Sequence, residues 1–211
     1  MKILNLQQGS IEWHEHRNSS IGGTRLGQVI SGRDNRLIYD LLNECLNGYI
    51  PEDDYVDEDM QFGIDNEPIA RELYNEKTGL GFTEVGMIKS DTSNIHHHSP
   101  DGVAEVAPNR YAILEIKCTM NGAIHMQRFF EGVDAKHLPQ IINAFAVSDQ
   151  VESVHWVSYC PFRPERPLVE HIFTLDTIVK GKTIAEQVRV ARVQIKAIEN
   201  RMQEMLLDFS F

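Results

Sequence analysis

Two short stretches hold side chains that could do chemistry together: Ser99-Pro100-Asp101-Gly102 and Leu114-Glu115-Ile116-Lys117. The second ends the segment YAILEIK at 111–117, the clearest strand pattern in the chain. Side chains two apart on a strand share a face, so Glu115 and Lys117 point the same way. Leu114, Ile116 and Cys118 point the opposite way, to a core. Alone, this Glu-x-Lys pair is compatible with a same-face ion pair on an exposed strand. Asp101 adds a second carboxylate: if 101–106 pairs with 111–117 through the turn Ala107-Pro108-Asn109-Arg110, Asp101 lies beside Glu115. Two carboxylates and the backbone carbonyl of Ile116 make a hard-oxygen site of the kind Mg2+ takes, with water and phosphate oxygens in its other positions. A metal there lowers the pKa of bound water and polarises a phosphate. Lys117 is placed to orient or deprotonate the attacking water, or to stabilise charge developing on the phosphate.

The elements that must hold these residues are legible in outline. A short helix opens at Ser10, its expected cap, with Trp13 on the buried side. Gly22 and Gly23 break the pattern, and Thr24 is the expected cap of a second short helix through Ile30. Helical spacing continues over 33–47, and 48–59 reads as an acidic loop whose Asp57-Glu58-Asp59 run is solvated surface. The text NEPIARELYNEK at 66–77 predicts a helix with Pro68 in its first turn, Glu67 at its start and Gly79 after its end. Strands are expected over 81–89, 101–106, 111–117, 153–159 and 168–173, and a helix over 135–148 with Pro139 in its first turn. From 174 to 210 the chain reads as mostly one long helix or a broken pair. Ile184, Val188, Ala191, Ile195, Ile198, Met202 and Met205 form its apolar stripe, which packs on its own domain or on a neighbour. The order predicts an α/β sandwich with a mixed central sheet flanked by helices.

Composition sets limits. The 211 residues suit a single domain, with a helical C-terminal segment from about 174. At 42% hydrophobic residues, the chain can bury a real core. No apolar run is long enough for a transmembrane helix, and the N-terminus does not read as a signal peptide. Cys45, Cys118 and Cys160 are dispersed and odd in number, which favours a reducing compartment; a cytoplasmic protein is expected. The formal charge of −11 argues against bulk binding to nucleic acid, whose backbone attracts positive charge. Any contact with DNA is therefore confined to a small surface or assembled from several subunits.

With these residues in place, the chain resembles the PD-(D/E)xK nuclease superfamily, and within it the phage lambda exonuclease family, also called the YqaJ-like viral recombinase family. The similar text is EWHEHRNSSIGGTRLGQVI at 12–30, FGIDNEPIARELYNEKTG at 62–79, SPDG at 99–102, LEIKC at 114–118 and HLPQIINAFAV at 137–147. The resemblance runs over about residues 8–160. It implies a restriction-endonuclease-like core. Asp101 and Glu115 resemble the family's metal-binding carboxylates, and Lys117 its active-site lysine. Glu67 resembles the acidic residue of the core helix, which meets the metals directly or through water. Gln140 resembles the glutamine that lines the site and helps to place water or lysine. Arg17, Thr24 and Ser99 resemble a pocket that grips a 5′-phosphate. The family carries one more arginine shortly after the lysine; here the stretch reads CTMNGAIHMQRF, so His125 or Arg128 is the candidate for that place.

The resemblance implies a Mg2+-dependent 5′→3′ exonuclease on double-stranded DNA ends, with Mn2+ able to substitute. It would release 5′-mononucleotides and leave 3′ single strands. It further implies a homo-oligomer, a ring of three around DNA, and work beside a single-strand annealing protein in recombination, in a phage or its bacterial host. Two other readings stay open: a structure-specific or repair endonuclease with the same metal chemistry, and a non-enzymatic DNA-binding or assembly module. Of the run His96-His97-His98, one member is a candidate for an outer-shell or DNA-contacting role, with a plain loop as the alternative. Trp13 is read as a core anchor beneath the phosphate pocket, and Trp156 as structural. Met120, Met126, Phe129 and Phe130 are read as meeting DNA or another subunit.

Overall fold

Residues 110–118 alternate between two interiors, and the rest of the molecule is arranged around that fact. In the computed structural model, which describes residues 1–51 and 57–209, the N-terminal part comprises β1 (Lys2–Leu4), α1 (Ile11–Arg17), α2 (Gly23–Ile30), α3 (Asn35–Asn47) and α4 (Glu58–Thr78). Then come β2 (Met87–Lys89), β3 (His97–His98), β4 (Gly102–Ala107) and β5 (Arg110–Cys118). The second half holds α5 (Gly122–Glu131), a 3-10 turn at Ala135–His137, α6 (Leu138–Ala146), β6 (Val151–Tyr159), β7 (Leu168–Phe173), β8 (Ile178–Val179), β9 (Lys182–Thr183) and α7 (Ile184–Phe209).

The main sheet runs β4-β5-β6-β7. The outer pairs are antiparallel and β5–β6 is parallel, so the sheet is mixed. A parallel pair needs a crossover, and α5 with α6 supplies it. On one face Ile113, Val154 and Trp156 meet apolar residues of α2, α6 and α7. On the other, Ala112, Leu114, Ile116, Val157 and Tyr159 pack with Ala70 and Tyr74 of α4. The expected α/β sandwich is therefore present. A small antiparallel sheet, β1-β2-β3, sets the histidine run beside it.

Several expectations need correction. Helix α4 begins at Glu58, not near Glu67. Asp57 caps it by accepting from Met60 N at 2.8 Å, and Glu58 and Asp59 stand in its first turn, where carboxylates favour the helix dipole. Those residues are thus a helix start rather than the end of a loop; residues 52–56 of that stretch lie outside the described residues. Glu67 and Pro68 sit in the helix interior. Thr24 does not cap α2: Gly22 occupies the cap position and Thr24 lies in the first turn. The strand expected over 81–89 is formed only at 87–89, with Thr83 bridging to Val103. The C-terminal segment is not helical from 174. Lys180 and Gly181 both have positive φ, 52° and 75°, the conformation of a tight hairpin turn between β8 and β9. A Thr183–Glu186 capping box then starts α7: Glu186 N donates to Thr183 Oγ1 at 3.1 Å and Thr183 N to Glu186 Oε2 at 2.8 Å. The stripe of α7, from Ile184 to Met202, is buried in the chain's own core.

Candidate active site

Asp101 is fixed by the strand it faces. The β4–β5 register pairs Gly102 with Leu114, which places Asp101 opposite Glu115. Asp101 N donates to Leu114 O at 3.0 Å, and Asp101 Oδ2 accepts from Ile116 N at 2.5 Å. Gly102 follows because a Cβ there would stand 3.2 Å from Phe82 Cβ and 3.3 Å from Leu114 Cβ. Glu115 is buried, at 2% exposure. Lys117 Nζ lies 3.4 Å from Glu115 Oε2 and 3.8 Å from Asp101 Oδ2, so one ammonium serves both carboxylates. His98 Nε2 lies 3.1 Å from Glu115 Oε1.

Glu67 reaches the same region from α4 through Arg71, one helical turn on. Arg71 is 8% exposed, stands 3.9 Å from Glu67 and 2.8 Å from Glu84, and donates to the Asp101 carbonyl. It ties the helix to the start of β4. Burial and the nearby Asp101 push Glu67 up to about 8. Burial lifts Asp101 to about 6, with Glu115 adding to the rise and Lys117 opposing it. Burial also raises Glu115, but Lys117 and His98 outweigh it and hold that carboxyl below its usual range. For Lys117, burial is outweighed by Asp101 and Glu115, which keep the ammonium above its ordinary value. The oxygens gathered here are thus those of the Asp101 and Glu115 carboxylates. Among the described residues no group of three or more His, Cys, Asp or Glu is placed to hold a metal ion.

Gln140 lies in the first turn of α6, and its Oε1 is buried without a hydrogen-bond partner among the described residues. Helix α2 approaches it closely: a Cβ on Gly23 would lie 3.0 Å from Gln140 Cγ and 3.3 Å from Gln140 Cα. A Cβ on Gly22 would lie 2.8 Å from His97 Nε2. The two glycines, read from sequence as a break, are required by these contacts.

Beside α2 opens a cavity of about 570 Å³ lined by Arg17, Ser20, Thr24, Arg25, Tyr49 and His97, among others. Arg17 holds its guanidinium 4.0 Å over the Trp13 ring, and Trp13 Nε1 donates to Gly86 O at 2.8 Å, so Trp13 does anchor this wall. Ser20 Oγ donates to Arg17 O and lies 2.7 Å from His97 Nδ1. Arg25 is engaged by Glu44. Burial, with Arg17 and Lys89 nearby, drives His97 well below the usual imidazole range. The cavity brings Arg17 and Thr24 together but does not include the carboxylates, Ser99, His125 or Arg128. Ser99 Oγ is buried without a partner among the described residues. His125 spends both ring nitrogens on Ser158 Oγ and Arg166 O. Arg128 spends its guanidinium on Lys117 O, Ser158 Oγ and Asp134. These two residues brace the crossover behind Lys117 and line no part of the cavity.

Sequence reasoning missed Arg71 and Asn143. Arg71 carries a signal in its spacing, four residues after Glu67. Asn143 carries one in its setting, a polar residue inside the apolar run IINAFAV.

The YqaJ-like viral recombinase domain matches residues 12–150, about two thirds of the chain. No curated protein matches by sequence. The fold is similar to that of an alkaline exonuclease, LHK-Exo, from Laribacter hongkongensis: TM-score 0.78, 20% identity, 95% of this chain and 96% of that one. The same enzyme in complex with dAMP gives a TM-score of 0.74 at 20% identity, over 95% and 98%. A phage-related exonuclease from Haemophilus somnus 129PT gives 0.59 at 14% identity, over 91% and 97%. These likenesses establish the fold, and the domain match over residues that include Glu67, Asp101, Glu115, Lys117 and Gln140 establishes the lineage: the chain belongs to the YqaJ-like viral recombinase family.

Proposed function

We propose that the protein is a Mg2+-dependent 5′→3′ exonuclease on double-stranded DNA ends. It releases 5′-mononucleotides and leaves 3′ single strands for annealing. The observation that carries this reading is the pair of half-buried Asp101 and buried Glu115 with Lys117 shared between them. The fold shared with alkaline and phage-related exonucleases supports it.

The donor set fits the metal. Two carboxylates and a carbonyl are hard oxygens, and Mg2+ takes few protein ligands while keeping water and phosphate oxygens. Bound there, Mg2+ supplies Lewis-acid polarisation of the phosphate and an acidified water. Mn2+ accepts the same oxygen donors. The protein's own groups do the rest. Lys117 orients the attacking water and offsets charge on the phosphate. Gln140 directs its free amide oxygen to that water, and Glu67 contributes through water. A water oxygen bonds to phosphorus in line as its proton passes to solvent, the bond from phosphorus to the 3′-oxygen breaks, and that oxygen takes a proton from solvent. The released nucleotide keeps its 5′-phosphate and gains a 3′-hydroxyl. Arg17 and Thr24, in the cavity beside α2, hold the terminal 5′-phosphate, and this sets the direction; Ser99 lies outside that cavity.

The test uses linear duplex DNA labelled at either terminus, with and without a 5′-phosphate, beside a covalently closed circle. Mg2+-dependent release of 5′-mononucleotides from the 5′ end is expected, fastest on phosphorylated ends. Lys117→Ala should lower the rate by about 10²-fold or more. Cutting of the circle would replace this reading with an endonuclease. No cleavage of any substrate would leave a DNA-binding or assembly module.

A further inference from the structure

The histidine run and one buried asparagine form a network that the chemistry above does not use. Asn143 is completely buried on α6 and touches all three histidines. Its Nδ2 donates to the His97 carbonyl at 2.9 Å. A carbonyl only accepts, so this contact fixes which end of the amide is the NH2. Asn143 Oδ1 then accepts from His96 Nε2 at 2.8 Å. The second Nδ2 hydrogen points to His98 Nδ1 at 3.0 Å. His98 Nδ1 is therefore an acceptor, and the ring proton sits on Nε2, which stands 3.1 Å from Glu115 Oε1, within ion-pair distance but outside the geometry of a hydrogen bond. The other oxygen of Glu115 is held by Lys117 at 3.4 Å.

We propose that Asn143 and His98 are positioning residues for Glu115: Asn143 locks His98 as the Nε2–H tautomer, and His98 fixes the rotation of the Glu115 carboxylate. Neither residue touches the reacting atoms. The inference rests on the metal-site reading above, because the carboxylate is oriented for a cation. Residues that orient a ligand from behind typically matter 10- to 100-fold in metal affinity. The arrangement also explains two sequence features. His98 stands on β3, next to His97, and strand alternation turns one ring toward Glu115 and the other toward the α2 cavity. Asn143 tolerates an apolar helix because each of its polar atoms is paired.

The experiment has two parts. Long-range 15N NMR of the metal-free protein reads the tautomer of His98 directly. The expected result is a proton on Nε2 in the wild type and loss of that single state in Asn143→Leu. A proton on His98 Nδ1 in the wild type would overturn the relay. Calorimetric Mg2+ binding then reads its consequence. His98→Gln places an amide nitrogen where imidazole Nε2 stands and should bind within about 3-fold of wild type. His98→Asn, polar but too short to reach, should bind about 10- to 100-fold more weakly. Equal binding by the two variants would overturn the proposal, and circular dichroism identifies any variant that has lost its fold. Asp101→Ala separates the two ideas. If neither wild type nor Asp101→Ala binds Mg2+, the metal reading fails, while the tautomer result still stands or falls alone.

Discussion

Glu67 and Asp101 hold their protons more tightly than free carboxylates because they share a buried, negatively charged corner. Glu67 titrates at about 8 against an ordinary 4.5, and Asp101 at about 6 against 3.8. Protons and a cation compete for the same negative charge, so Mg2+ affinity should rise from pH 6 to about 8. The sign for folding is opposite. Between pH 4.5 and 8 the native protein keeps a proton on Glu67 that the unfolded chain has lost, so stability falls as pH rises through that window. Without metal, the melting temperature of wild type relative to Glu67→Gln should therefore decline from about pH 5 to pH 8, and a parallel pair of curves would refute the assignment. Cys118 gives a related contrast. Burial and the same carboxylates push its thiol up to about 12, so alkylation at pH 8 should be slow beside the exposed Cys45.

At the scale of elements, two glycine positions make opposite predictions. Gly22 and Gly23 let the start of α2 press against His97 and Gln140. Gly23→Ala must displace the Gln140 backbone as well as its side chain, and should cost about 1–3 kcal/mol in denaturant unfolding. Gly63, inside α4, has nothing among the described residues within 4 Å of a new Cβ, so Gly63→Ala should stabilise by about 0.5–1 kcal/mol. A Gly23→Ala variant as stable as wild type would remove the close approach from the account of the site. The same residues show what sequence reading can reach. The spacing of Glu115 and Lys117 and the turn at 107–110 placed the carboxylates correctly, because strand alternation and hairpin pairing are local rules. The start of α4 was missed because Pro68 looked like a first-turn residue, while the true cap, Asp57, lay in a run of acidic residues that hid it. The β8–β9 turn was missed because Lys180, a non-glycine residue, adopts positive φ there. The His98–Asn143 contact joins residues far apart in sequence, and no local pattern announces it.

The molecule as a whole carries a net charge of −11, and of the arginines beside the candidate phosphate cavity, Arg25 is already engaged by Glu44. One protomer therefore offers little to a duplex beyond the terminal phosphate. Helix α7 buries its stripe within its own chain, so that stripe is not spare surface for assembly, although Val193 and Leu207 on its outer side are exposed. Helix α5 leaves Ile124, Met126, Phe129 and Phe130 exposed, Phe130 at 76%, shortly after the strand that bears Lys117. We propose that three protomers close into a ring around the duplex, so that weak contacts add and the enzyme stays on its strand by enclosure. Light scattering should then give a mass near three times 24.1 kDa. Degradation of a long duplex, once begun, should continue through a challenge with excess unlabelled DNA at salt that abolishes fresh binding, because enclosure resists salt while phosphate contacts do not. A monomer, or degradation that stops when the challenge is added, would leave each protomer to bind one end at a time. Its contacts with phosphate, unprotected by enclosure, would then make cleavage fall with ionic strength in every phase of the reaction.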